Sequence, residues 1–160
     1  MMPSLHLRGE GCKLCNKTSL LNCERRLYQI LIDNFPNEEI IKQFHDFLGR
    51  QSLDFYFPKY KIGIEYQGKQ HFASVEYLYL DNRHSLKHQQ ELDKQKFNKC
   101  KEHNVKLLYF TFDKQYENID YYSKIYVNIK DLIEKIQYII NNYNICIDNN
   151  IDIEQQKLNT

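Results

Sequence analysis

Two acidic residues lie on neighbouring segments that have the pattern of β-strands, and their spacing is suited to metal chemistry. Asp54 belongs to the alternating run LDFYF and Glu65 to the run IGIEYQ. The connection Pro58–Lys61 is short enough for a hairpin, and a loop of Lys59 and Tyr60 places Asp54 directly opposite Glu65. Because opposed like charges destabilise a sheet, we expect something to offset these two carboxylates.

A third oxygen donor follows the second strand. Gln67 is two residues past Glu65 and is expected on the same face, where it offers a carbonyl acceptor or an amide donor. With the backbone carbonyl of Tyr66, these are the hard oxygen ligands that Mg²⁺ or Mn²⁺ takes while it retains waters for attack on phosphate. The alternative is that both acids face solvent beside Lys61 or Lys69. The other strand phase is expected to be apolar, with Leu53, Phe55, Phe57, Ile62 and Ile64.

The surrounding pattern predicts a small α/β domain that positions these groups. Asn22 is a candidate N-cap for the first helix, and the strand with Ile40 and Ile41 leads into a turn at Gly49. The predicted elements are a helix over 22–34, a strand near 40–48, strands over 53–57 and 62–67, a loop over 68–84, a helix over 85–103, a strand over 105–112 and a helix over 128–142. The order is therefore α, β, β, β, α, β, α.

The run L-D-F-Y-F-P…I-G-I-E-Y-Q-G-K-Q-H-F resembles the core hairpin of the PD-(D/E)XK nuclease superfamily, especially its very-short-patch-repair-like and phage homing-endonuclease-like branches. The resemblance covers about residues 22–112. It implies a restriction-endonuclease-like αβββαβ core with a mixed central sheet, a C-terminal helix and metal-dependent endonuclease activity. Asp54, Glu65 and Gln67 match the acidic residue and the E-x-K or E-x-Q of that family. Gln67 stands where Lys is usual and cannot act as a cationic clamp, so Lys69, Lys96 or the metal would replace it.

Three more features match the wider family pattern, and the third consists of two residues. Glu24 corresponds to a helix glutamate directed at the metal or its water, and a simple helix N-terminal acid is the alternative. His71 corresponds to a histidine that acts as general base or phosphate contact, whereas a loop His is ordinarily a surface group. Asp93 and Lys96 supply the D-x-x-K of the second helix, where Asp93 interrupts an apolar stripe and needs a partner. Surface positions are the alternative for both.

A cysteine pair near the N-terminus has zinc-ribbon spacing. Cys12 and Cys15 follow two glycines, and the run from His6 to Cys15 resembles half of the ribbon of phage-type nucleases. The pair belongs either to a truncated ribbon without zinc or to a rebuilt Zn²⁺ site that adds His6 and Cys23. Residues 1–21 are predicted to form this small arm, 22–147 the nuclease-like domain and 148–160 a polar, frayed tail. Cys100 and Cys146 are expected to be small buried hydrophobes.

Composition limits the alternatives. The chain has 160 residues, 42% hydrophobic, with a net charge of +1, so it can form one core and is not a histone-like basic binder. With no long apolar run and five cysteines, an odd number, we expect an intracellular protein without a membrane segment. Thirteen Tyr, no Trp and many Asn, Ile and Lys suggest an AT-rich coding genome, which is typical of a virus, a phage or mobile element, or a low-GC host.

The expected partner is DNA, double-stranded, and a homodimer would allow cleavage of both strands. A nuclease-fold module that binds nucleic acid without cleaving it is the competing function, and an RNA-cleaving nuclease is a third. Basic residues expected to contact phosphates are Arg25, Arg26, Lys59, Lys61, Lys69, Arg83, His84, Lys87 and His88.

Overall fold

The structure is a computed structural model that describes residues 13–68, 86–117 and 121–158. Its three helices are α1 (Lys13–Asn34), α2 (Leu86–Glu102) and α3 (Ile129–Leu158). Its strands are β1 (Ile41–Phe44), β2 (Leu53–Phe57), β3 (Ile62–Tyr66), β4 (Lys106–Phe110) and β5 (Ile125–Tyr126). A 3-10 turn covers Lys114–Tyr116. In the described ranges, no helix is long and apolar enough to cross a membrane.

The five strands form one mixed sheet in the order β1-β2-β3-β4-β5. The first three are antiparallel neighbours, whereas β4 runs parallel to β3 and β5 runs parallel to β4. The predicted mixed α/β class is therefore confirmed. The predicted hairpin register is confirmed as well, since Phe57 pairs with Ile62 and Phe55 pairs with Ile64. Asp54 and Glu65 come next along that register.

Helices cover both faces of the sheet. On one face, α1 and α3 pack against the strands in a large apolar cluster that includes Leu31, Phe57 and Ile136. On the other face, a smaller cluster places Cys100 of α2 against Tyr109 of β4 and its neighbours. Every residue of β3 is buried, so the prediction of half-buried strands is wrong, because each face of the sheet has its own helical layer.

The alternation of β2 breaks at Asp54. Phe55 packs on the side of α1 and α3, but Leu53 packs with Tyr56 on the side of α2, so its predicted place beside Phe55 is wrong. Gly63 makes this possible, since a Cβ at that position would lie 2.8 Å from Leu53 Cδ1. The missing side chain of Gly63 thus leaves space for Leu53 to cross to the other face.

Two predicted helix boundaries differ from the structure, and one strand was not predicted. Helix α1 begins at Lys13 rather than at Asn22, so the boundary between arm and domain falls inside it. Helix α3 continues to Leu158, through the predicted tail, rather than ending near residue 142. Neither extension contains Gly or Pro, so nothing in the backbone ends the helix there. Strand β5 was not predicted because two residues carry no periodicity of their own.

Candidate active site

A cleft of about 320 Å³ opens at the end of the hairpin where Asp54 and Glu65 lie, between α1 and α2. Glu24 of α1, Asp54 of β2, Glu65 of β3, and Asp93 and Lys96 of α2 all line it. Four separate elements thus bring together five of the seven predicted catalytic residues. The cleft is completed by Leu20, Arg50, Gln51, Ser52, Tyr66, Gln89 and Leu92.

The two central acids are linked through backbone amides. The Asp54 N–H donates to Glu65 Oε1 at 3.1 Å, and the Tyr66 N–H donates to Asp54 Oδ2 at 2.8 Å. Each carboxylate therefore accepts a bond from the facing strand, just past the last pair, Phe55 and Ile64. The predicted side-by-side placement of Asp54 and Glu65 is confirmed.

Lys96 forms an ion pair with Glu65 inside the cleft. Lys96 Nζ lies 2.8 Å from Glu65 Oε2, and the two side chains are only 16% and 6% exposed. Taking two charges out of water is costly, so a buried pair of this kind is not by itself a source of stability. We expected something to offset the two acids; among the described residues, Lys96 and the two backbone amides do so in part.

The cleft raises the pKa values of two of its acids. Burial, together with the nearby Asp54 carboxylate, raises the pKa of Glu65 from 4.5 to about 8, although Lys96 opposes the shift. Burial and Asp54 also raise the pKa of Glu24 to about 7. A cation bound among these groups would lower both pKa values, and perturbed acids in a cleft are typical of functional sites.

Asp93 has the partners that its buried position requires. Gln89 Nε2 donates to Asp93 Oδ1 at 2.9 Å, and the Tyr121 hydroxyl donates to Oδ2 at 2.6 Å. Burial and this bond to Asp93 raise the pKa of Tyr121. These bonds tie α2 to the segment before β5, so Asp93 braces the wall of the cleft that carries Lys96.

The donor set fits a hydrated divalent cation. Among the residues that the structure describes, no three or more His, Cys, Asp and Glu side chains converge closely enough to enclose a metal. Mg²⁺, however, commonly binds through one or two carboxylates and keeps several waters. Asp54, Glu65 and the backbone of Tyr66 would supply such hard oxygens at one place, where burial and the Asp54 carboxylate raise the pKa of Glu65.

Other predicted site residues lie elsewhere. Gln67 is buried and does not line the cleft, and its Oε1 has no hydrogen-bond partner among the described residues. His71, Lys69, Arg83 and His84 lie outside the described residues.

Those predicted phosphate contacts that the structure describes do not gather at the cleft. Lys59 and Lys61 lie in the turn at the opposite end of the hairpin. Arg26 places its guanidinium 4.5 Å from the centre of the Phe112 ring. The remaining predicted contacts in the described ranges do not line the cleft either: Arg25, Lys87 and His88.

Arg50, a cation at the rim of the cleft, was not predicted from the sequence. Arg50 is exposed and lines the cleft, and no ion pair or hydrogen bond to its guanidinium is found within the described part of the chain. Gln51, its neighbour, donates through Nε2 to the Leu92 carbonyl at 2.8 Å and so fixes this rim against α2. The signal available in the sequence was position, since both residues lie within three residues of the start of the strand that carries Asp54.

Within the described residues, the cysteines do not form a metal site. Cys12 and His6 lie outside the described residues, and the turn expected to end at Cys15 is replaced there by the first residues of α1. Cys23 packs against the large apolar cluster, beside the Tyr66 hydroxyl whose pKa burial raises to about 12. Cys100 is buried as predicted, whereas Cys146 is exposed, so that prediction was wrong.

Comparison with known proteins gives one short similarity. A segment of 56 residues is 36% identical to uncharacterized protein 307L of Invertebrate iridescent virus 6, covering 35% of this chain and 28% of the viral protein. The chain thus matches less than a third of that relative's length. No protein-family model matches the chain, and no solved structure matches it.

Proposed function

We propose that the protein is a metal-dependent endonuclease that hydrolyses phosphodiester bonds in DNA, with a PD-(D/E)XK-type core. The observation that carries the proposal is the meeting of Asp54, Glu65 and Lys96 in one cleft, from β2, β3 and α2. The element order of the sheet and its first two helices agrees with the αβββαβ core that the sequence resemblance implies. The similarity to a viral protein is consistent with a viral or mobile-element setting.

Lys96 supplies the cation that the motif itself lacks. Gln67 stands at the usual lysine position and does not line the cleft, whereas Lys96 Nζ lies 2.8 Å from Glu65. An ammonium held there can stabilise negative charge that develops on a phosphate in the transition state. We therefore assign this role to Lys96 of the second helix.

The remaining residues divide the other tasks. Asp54, Glu65 and the Tyr66 carbonyl would hold Mg²⁺ or Mn²⁺, which supplies Lewis acidity and a more acidic bound water. Glu24, with a pKa of about 7, is suited to accept a proton at neutral pH. Arg50 at the rim is suited to bind a neighbouring phosphate of the strand.

The size of the cleft restricts the way in which DNA binds. A volume of about 320 Å³ admits one phosphate group with part of its nucleotide and excludes a duplex. The substrate would therefore lie across the opening, with the scissile phosphate inserted. One such site per chain predicts nicking by a monomer, or cleavage of both strands by a homodimer.

Cleavage of supercoiled plasmid tests the proposal. With Mg²⁺ or Mn²⁺ we expect nicking that EDTA abolishes and that Asp54→Ala reduces by about 1000-fold, because charge stabilisation at the reacting phosphate is lost. Glu134→Ala is the matched control, since this glutamate is 65% exposed on α3 and, within the described ranges, forms an ion pair with the surface residue Lys130 alone. Its activity should equal that of the wild type.

Two outcomes would replace the proposal. Equal DNA binding by the wild type and Asp54→Ala, without cleavage by either, would indicate a binding module that keeps the nuclease fold. Cleavage of labelled RNA oligonucleotides in preference to DNA of the same sequence would make the chain a ribonuclease with the same site.

A further inference from the structure

Gln43 has a backbone conformation that is unusual for its residue type and position. It lies inside β1 with φ at +51°, in the left-handed region, which is costly for a residue other than Gly, Asn or Asp. The other non-glycine residues with positive φ in the described ranges are Lys61, in the hairpin turn, and Asn104, just after α2. Turns and helix ends accommodate this conformation readily, but the interior of a strand does not.

The strained residue faces Asp54. Along β1 and β2, Lys42 pairs with Phe55 and Phe44 pairs with Leu53, so the residue between them, Gln43, is opposite Asp54. This is also where the alternation of β2 breaks and Leu53 crosses to the α2 side. Both irregularities therefore occur at the same cross-strand position.

The amide of Gln43 is oriented by a second residue. Ser52 Oγ donates to Gln43 Oε1 at 2.8 Å, which leaves the amide nitrogen to point at the carboxylate. Gln43 Nε2 then donates to Asp54 Oδ1 at 3.4 Å, a long bond that sets direction more than it adds stability. The Tyr66 N–H holds Oδ2 from the other side.

We propose that Gln43 is a positioning residue that turns the Asp54 carboxylate into the cleft, through its left-handed backbone and its side-chain amide together. The catalytic part of this inference rests on the proposed nuclease function; the placement of Asp54 does not. Gln43 does not itself line the cleft; it is linked to the cleft by its side-chain bonds to Ser52 and Asp54, and it acts on the chemistry through Asp54.

Four variants of the full chain test this role. Gln43→Ala removes the amide and keeps the strained backbone, whereas Gln43→Gly removes both the amide and the strain. Asn104→Gly is the matched control, because it also places glycine at a position with positive φ, +57°, which lies next to β4 at the end of the sheet away from the cleft. Asp54→Ala shows the effect of losing the carboxylate altogether.

The first readout is hydrogen exchange of the Tyr66 amide, measured by NMR without metal or DNA. We expect both Gln43 variants to raise its exchange rate at least about tenfold, towards the rate in Asp54→Ala, because its acceptor is no longer held. Asn104→Gly should leave the rate unchanged. A wild-type rate in both Gln43 variants would overturn the proposal.

The second readout is kcat for plasmid nicking, with the melting temperature as a check on folding. We expect kcat to fall roughly tenfold in both Gln43 variants, while Gln43→Gly melts at or above the wild-type temperature. Faster Tyr66 exchange with unchanged kcat would overturn the catalytic role. If the wild-type chain nicks nothing, the nuclease proposal fails, and Tyr66 exchange still decides whether Gln43 places Asp54.

Discussion

The two faces of the sheet differ in what they bury. Between the sheet and α1 with α3, the cluster is large and apolar, and in the described residues it includes no buried carboxylate. Between the sheet and α2, the cluster is smaller and borders the buried acids Glu65 and Asp93. The Tyr109 hydroxyl is also buried there, without a hydrogen-bond partner in the described part of the chain.

The two helical layers, α1 with α3 and α2, therefore contribute differently to the stability of the fold. Apolar burial supplies most of the folding free energy, whereas buried carboxylates cost free energy unless they are paired. The face of α1 and α3 can therefore support the fold while the α2 face carries strained and charged groups. Substitutions on the two faces of the sheet should therefore have different effects on stability and on its pH dependence.

The largest expected effect on folding comes from the apolar face. Leu31→Ala, at a fully buried position of α1, should lower the free energy of unfolding by about 2–5 kcal/mol, because it leaves a cavity. Leu21→Ala on the same helix, where the side chain is 60% exposed, should change it by less than about 0.5 kcal/mol. Urea denaturation measures both, and equal losses would contradict a core on this face.

The α2 face should make stability depend on pH. Because the pKa of Glu65 is raised from 4.5 to about 8, the folded state binds more protons than the unfolded state in that range. The free energy of unfolding should therefore fall as pH rises from about 4.5 to about 8, and Glu24 should add to the fall up to about pH 7.

Glu65→Gln should remove most of that pH dependence. Urea unfolding at several pH values in EDTA measures the difference between the variant and the wild type. Added Mg²⁺ at pH 8 should restore stability to the wild type and not to Glu65→Gln. The same pH slope in both proteins would show that Glu65 ionises normally.

The hydrogen bond between Tyr121 and Asp93, which ties α2 to the segment before β5, should contribute less to stability than the apolar core. Tyr121→Phe removes the hydroxyl that donates to Asp93 and should lower the free energy of unfolding by about 1–3 kcal/mol. Tyr122→Phe is the matched control, because its hydroxyl donates to the Gln90 carbonyl at an exposed position. Thermal unfolding of the two variants compares them directly, and a larger loss in Tyr122→Phe would contradict the assignment.

Arg50 should affect binding rather than folding. Arg50→Ala should raise KM for DNA roughly tenfold with little change in kcat. It should also make the plot of log binding constant against log salt concentration less steep, by the amount expected for about one lost phosphate contact. Lys101→Ala, an exposed cation near the end of α2, should change neither. A fall in kcat at constant KM would place Arg50 in the chemical step instead.

The local sequence pattern was sufficient to predict the hairpin of β2 and β3, but not the position of α2 or the backbone conformation of β1. Alternation and a four-residue turn fixed the register of β2 and β3, and so the meeting of Asp54 with Glu65. The pairing of Lys96 with Glu65 depends on how α2 docks, which no local pattern encodes. The left-handed backbone of Gln43 was hidden for another reason, since glutamine is not a residue that marks such a conformation.

Gly63 has a consequence for recognising distant relatives. A Cβ there would lie 2.8 Å from Leu53 Cδ1, so a larger residue would force the buried Leu53 side chain to shift at the point where β2 switches sides next to Asp54. A homologue that keeps this arrangement of acids should therefore keep glycine two positions before the glutamate, even where the rest of the hairpin has diverged. In a search profile, that glycine deserves as much weight as the carboxylates.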